Sequence, residues 1–97
     1  MDKKRNPEEF YQSLKAQLED GFVWPHLYLY KFIIPASDEQ IAEIENIFDN
    51  EQAKISLKES SKGKYVSVSI RVMMQSPDHV IEKYREIGRR IPEVISL

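Results

Sequence analysis

Reactive side chains are few in this chain, and they do not cluster. There is no cysteine, which removes thiol nucleophiles, disulfides, zinc ribbons and cysteine-based copper transfer in one step. His26 and His79 fall on different elements, one in a loop and one at a helix start. Neither gains a companion ligand, so no metal is expected. Glu82 and Glu86 stand four apart, which puts both on one helix face, but Lys83, Arg85, Arg89 and Arg90 surround them. Solvated helix charges account for this better than acid–base catalysis. No serine sits in a nucleophile motif with a histidine and an acid. The sequence nominates no catalytic residue and no cofactor site, and a non-catalytic protein is expected.

One run does carry binding chemistry. Ser60-Ser61-Lys62-Gly63-Lys64 combines hydroxyls, a glycine and two cations, and such a run can hold an anion through backbone N–H groups. A P-loop needs a glycine five positions before Gly63 and a helix afterwards. Lys58 stands there instead, and a strand is expected to follow, so nucleotide hydrolysis of that type is excluded. Hairpin-turn chemistry explains the same residues. The candidate interaction or anion site is therefore Ser60, Ser61, Lys62, Gly63 and Lys64, with Lys58 and Arg71 on the flanking strands.

The charge distribution sharpens that expectation. From Asp38 to Glu51 there are six acids and no base, and from Lys54 to Arg71 five bases and one acid. A solvated helix face followed by a lysine-decorated hairpin gives this pattern, and so does a dipolar surface that orients partners. Net charge is -2, whereas a bulk nucleic-acid binder is normally basic. The chain of 97 residues, 41% hydrophobic and 31% charged, fits one ordinary globular domain spanning 1–97. No apolar run approaches the roughly 18 residues of a membrane span, and the start leads into no signal-peptide core. The expected compartment is the cytoplasm, with no membrane association.

The elements that must position these residues follow from periodicity and caps. Asn6, Pro7 and Glu9 form a capping-box-like start for a helix over 7–19, with Phe10, Tyr11, Leu14 and Leu18 as its apolar stripe and Gly21 as its stop. Trp24-Pro25 marks a turn into a strand over 26–34. There Tyr28, Tyr30, Phe32 and Ile34 share one face, and Leu27, Leu29, Lys31 and Ile33 the other. Ser37 and Gln40 form a capping box for a helix over 38–49, whose stripe is Ile41, Ile44, Ile47 and Phe48. Strands follow at 53–59 and 64–74. In the second of these, Val66, Val68, Ile70, Val72 and Met74 point one way. Period-2 geometry puts Lys54, Lys58 and Arg71 on the opposite face. Ser76-Pro77 opens a helix over 77–87 that Gly88 ends, and a short edge strand is expected over 91–97.

The order is a helix followed by β-α-β-β-α-β. The fold class is α+β. The compact solution is a ferredoxin-like βαββαβ two-layer sandwich, with an antiparallel sheet in the order 4-1-3-2 and an extra N-terminal helix over 1–21 beside a 22–97 core. The second sheet face bears Leu27, Leu29, Ile33 and Met73 and is too apolar to leave fully in water, although Lys31, Ser67, Ser69 and Arg71 interrupt it. The N-terminal helix or a second subunit is expected to cover it, so a homodimer is admitted.

The run from Ser60 through Lys62-Gly63-Lys64-Tyr65-Val66 to Ile70 resembles the signature of the YbeD-like family of small uncharacterised bacterial proteins. The resemblance extends through Trp24-Pro25, Tyr30-Lys31 and the last helix, over roughly residues 22–97. It implies a ferredoxin-like fold similar to the ACT domains, which bind amino acids beside metabolic enzymes; it brings no catalytic residue. ACT sites use a glycine-containing loop after the first strand, and the loop here is Pro35-Ala36-Ser37-Asp38. Acylphosphatase chemistry would need glycine and arginine in that same loop. An RNA-recognition surface needs central aromatics on the open face, and the third strand offers only Tyr65, at its start. The reading that remains is a regulatory or adaptor module that binds a protein or a small anionic metabolite through the second sheet face, an edge strand or the 60–64 turn. The alternatives are a small enzyme with an unrecognised site and a weak RNA-binding domain.

Overall fold

A computed structural model of the chain describes residues 7–96. The expected cap at Asn6 lies outside them. The elements are α1 (Pro7–Gly21), β1 (His26–Pro35), α2 (Asp38–Ile47), a 3-10 turn (Asp49–Glu51), β2 (Lys54–Glu59), β3 (Tyr65–Met74), α3 (Pro77–Arg90) and β4 (Ile95–Ser96). The four strands form one antiparallel sheet in the order β2-β3-β1-β4, which reads 4-1-3-2 from the other edge. The chain is thus α+β, with its helices packed on one face of the sheet.

Strand alternation decides which face is the core. Tyr30, Phe32 and Ile34 of β1 and Val66, Val68, Ile70, Val72 and Met74 of β3 are all buried. Ile44, Ile47 and Phe48 cover them from the α2 side, and Val80, Ile87 and Ile91 from the α3 side. Each such side chain contributes about 1.5–3 kcal/mol over its exposed state. The phenols in this core keep polar partners. The Tyr30 hydroxyl donates to the Val80 carbonyl at 3.1 Å, and Tyr28 and Tyr84 share a hydrogen bond of 3.0 Å. Burial raises the Tyr30 and Tyr84 hydroxyls well above the usual phenol range, with the Tyr28 hydroxyl adding to the effect at Tyr84.

α1 does not cover the open face of the sheet. It lies beside α3, where Leu18 joins the core and the Trp24 indole N–H donates to the Leu18 carbonyl at 3.2 Å. Lys15–Asp78 at 2.9 Å and Glu8–Arg85 at 2.7 Å fasten the two helices. The predicted stripe therefore splits: Leu18 is buried, Leu14 and Tyr11 are half-buried, and Phe10 is exposed.

Three other boundaries move. α3 runs through Gly88 and stops where Pro92 disfavours helical geometry for Ile91, whose N–H still reaches the Ile87 carbonyl. Arg89 and Arg90 complement the negative end of that helix. β4 begins only at Ile95, because Val94 N–H closes a turn onto the Ile91 carbonyl, and its described residues are Ile95 and Ser96; its edge position is as expected. α2 ends at Ile47, whose carbonyl accepts from Lys83 Nζ at 2.6 Å, and Gln52 then turns through a left-handed conformation. Only half of the Ser37 capping box forms. The Gln40 N–H donates to Ser37 Oγ, but the Gln40 side chain donates to Glu93.

Candidate functional site

The 60–64 segment is a closed hairpin turn. Gly63 N–H donates to the Ser60 carbonyl at 3.0 Å, Ser60 N–H to the Tyr65 carbonyl at 2.8 Å, and Tyr65 N–H to Ser60 Oγ at 3.2 Å. Gly63 holds φ +71°, a left-handed conformation that glycine adopts without a Cβ clash. Lys64 carbonyl accepts from Ala36 N–H at 2.9 Å, which ties the turn to the β1–α2 loop. Ser60 and Gly63 thus spend their hydrogen-bonding groups on closing the hairpin.

That closure sets the register of the strands it joins, and the register builds a second, larger surface. Lys54 lies opposite Arg71, Ser56 opposite Ser69 and Lys58 opposite Ser67. On the other side of β3, Leu29 lies opposite Arg71, Lys31 opposite Ser69 and Ile33 opposite Ser67. All these residues alternate with the core set and therefore face away from the helices. Ser69 sits at the middle of this open face, with serine on two sides and cations at four surrounding positions. Leu27, Leu29 and Met73 border it and are about half exposed. Ile95 of β4 extends the apolar border beside Ile33.

The cations of this face are unpaired. Lys31, Lys54, Lys58 and Arg71 make no ion pair or hydrogen bond among the described residues, and no acid of the strands shares their face. Glu59, on β2, has the opposite parity and lies across from Val66. Most cations of the helix layer behave differently: Lys15, Lys83, Arg85 and Arg90 meet carboxylates within 4 Å, while Arg89 at the end of α3 does not among the described residues. Two shallow hollows flank the face. Lys58, Ser60, Ser61, Tyr65 and Ser67 line one with Ile33 and Glu59, and Lys54, Arg71, Leu27 and Met73 contribute to the other, at whose rim Glu51 is already held by His79 and Lys83.

The predicted site residues divide accordingly. Lys58 joins Ser60 and Ser61 at one hollow, and Arg71 lies in the other hollow with Lys54. Lys62 and Lys64 are exposed on the turn. The sequence puts Lys31, Ser67 and Ser69 on the same sheet face as Arg71, but the motif-based site leaves them and Ser56 out. Strand parity was the available signal; the cross-strand register was not.

The histidines have structural partners. His79 Nδ1 accepts from Gln75 N–H at 3.1 Å while Nε2 faces Glu51 at 3.2 Å, which staples the start of α3 to the 3-10 turn. His26 stacks on Phe22 at 4.3 Å. Among the described residues no three His, Cys, Asp or Glu side chains gather as a metal site, and no helix is long and apolar enough to cross a membrane.

Comparison with known proteins gives one family. Residues 19–96 match the model of a family described as "Protein of unknown function (DUF493)". No curated protein and no solved structure gives a match.

Proposed function

This chain belongs to the DUF493 family, and we propose that it is a non-catalytic regulatory or adaptor module that works through the open face of its sheet. The fold is taken as ferredoxin-like and similar to ACT domains, on the support of the sheet order and the helix layer. The YbeD-like resemblance spans nearly the same residues as the family match, which supports reading the two as one family of bacterial cytoplasmic proteins.

One observation carries the functional reading. Four cations, Lys31, Lys54, Lys58 and Arg71, stand unpaired among the described residues, on a face that holds no strand acid and is bordered by exposed apolar side chains. An edge strand is protected from mispairing by one or two charges, so protection alone does not call for this number. The face suits an anionic partner, either an acidic protein surface or a small anionic metabolite.

The test compares two charge reversals in native-lysate capture. One is Lys54→Glu with Lys58→Glu and Arg71→Glu, on the face; the other is Lys62→Glu with Lys64→Glu, on the turn. After both are shown to melt like the parent, the face variant should lose partners whose binding weakens with salt, since exposed charges are screened beyond about 10 Å at 0.1 M. The turn variant should keep them. Identical partners at identical salt dependence for all three proteins would refute the module reading.

A further inference from the structure

We propose that the open face binds the polyphosphate chain of a small metabolite, laid over a floor of Ser56, Ser67 and Ser69 and clamped by Lys31, Lys54, Lys58 and Arg71. The inference rests on the reading of this face as the working surface, and it names the chemistry of the ligand.

The geometry starts from register. Ser69 lies directly between Ser56 on β2 and Lys31 on β1, and Ser67 and Arg71 are its same-face neighbours along β3. Lys54 and Lys58 sit diagonally from it, opposite Arg71 and Ser67. Adjacent strands are roughly 4.8 Å apart, and same-face neighbours along a strand roughly 6.6 Å. The four cations therefore ring the serines over about 13 Å along the strands. Serine side chains are short, and lysine stems are long and mobile. The middle of the face is thus a trough lined with hydroxyls, and its walls are positive.

Charge patterning then selects the ligand. Lys54 and Arg71 are directly opposite each other on paired strands, an arrangement that destabilises a sheet. Neither makes an ion pair among the described residues, since Glu51, the carboxylate lining the same hollow, is engaged by His79 and Lys83. A bound anion removes that repulsion. One monovalent anion meets only one end of the ring, whereas a chain of linked phosphates spreads several charges along the trough. Phosphate oxygens are acceptors on every side, so they take hydroxyl donors from the floor and ammonium or guanidinium donors from the walls together. The hollow at one end, where Ile33 and Tyr65 lie with Ser60, Ser61, Ser67 and Glu59 near Lys58, offers an apolar and aromatic surface with polar groups at its side for the uncharged organic part of a nucleoside polyphosphate. Continuous single-stranded RNA fits less well. Its bases need aromatics along the middle of the face, and β3 places only Tyr65 there, at its end.

The experiment titrates the full chain with inorganic triphosphate, ATP, citrate, sulfate and a single-stranded RNA oligonucleotide. Ionic strength is held equal, no divalent metal is present, and backbone amide resonances are read. Triphosphate and ATP should shift the Ser56, Ser67, Ser69 and Lys31 amides to saturation, with a Kd at least about tenfold below that of citrate or sulfate. Lys54→Gln with Arg71→Gln should weaken triphosphate at least about tenfold, and Arg71→Gln alone serves if the pair folds poorly. Lys62→Gln with Lys64→Gln should leave it within about twofold. Tightest binding by citrate, or by RNA through the same amides, would overturn the polyphosphate assignment and leave the open-face reading standing. The polyphosphate assignment falls in the same way if no small anion shifts these amides while the face reversal still loses lysate partners. Shifts confined to 60–64, or sulfate binding as tightly as triphosphate, would overturn the inference. If the face reversal also changes no lysate partner, both readings fail together.

Discussion

The tyrosines show how single side chains set the conditions under which this fold survives. Tyr30 is fully buried and donates to the Val80 carbonyl, and Tyr84 shares a hydrogen bond with Tyr28. Burial holds both the Tyr30 and Tyr84 hydroxyls protonated beyond the ordinary range. Unfolded tyrosines lose their protons near about pH 10. Below that pH both states carry the proton and stability does not depend on these groups. Above it the unfolded chain ionises first and is favoured, so stability falls as pH rises. Thermal melts from neutral to strongly alkaline pH should show a plateau and then a decline. Tyr84→Phe should cost about 1 kcal/mol on the plateau, through the lost hydrogen bond, and should flatten the alkaline decline. An unchanged decline would assign it to other groups. None of this pairing was legible from the chain: alternation puts Tyr28 and Tyr30 on one strand face with Phe32 and Ile34, but a phenol's partner depends on which carbonyl or hydroxyl a distant helix brings to it.

Whole elements were easier to foresee than their ends. Caps at Ser37 and Ser76 and the change from period 3.6 to period 2 located every helix and strand within a few residues. The end of α3 shows why. Gly88 looked like a stop, yet α3 continues through it because nothing forbids helical geometry until Ile91 precedes Pro92. A methyl group at Gly88 would come no closer than 3.9 Å to the Tyr11 hydroxyl of α1, an ordinary contact. Gly88→Ala should therefore raise stability by about 0.5–1 kcal/mol through helix propensity. Leu18→Ala, on the facing helix, should lower it by about 2–5 kcal/mol by opening a cavity. Chemical denaturation of the two variants measures both. A destabilised Gly88→Ala would mean that α1 sits closer to α3 than this packing allows. The site of α1 itself was misjudged because its stripe reads only as apolar, and the ion pairs that direct it, Lys15–Asp78 and Glu8–Arg85, join residues far apart in sequence.

At the scale of the molecule, charge is sorted by layer. α2 and the turn after it carry acids, the open face carries cations, and the net charge of -2 conceals the separation. Acidic and basic runs in the sequence foretold this. The convergence of Lys31 with the hairpin cations did not appear until β3 was laid between β1 and β2. The sheet is also sorted by how well each strand is flanked. β3 is paired along both sides, with β1 over its whole length and with β2 over six residues, whereas among the described residues β4 covers β1 at Phe32 and Ile33 alone. In an antiparallel ribbon, successive N–H groups point to alternate sides. From His26 to Lys31, then, every second amide is locked onto β3 and the ones between have no strand beyond them among the described residues. Amide exchange with deuterium should consequently alternate fast and slow along the first half of β1 and become uniformly slow where β4 begins. A uniform rate along β1 would mean that something else lies against that edge in solution.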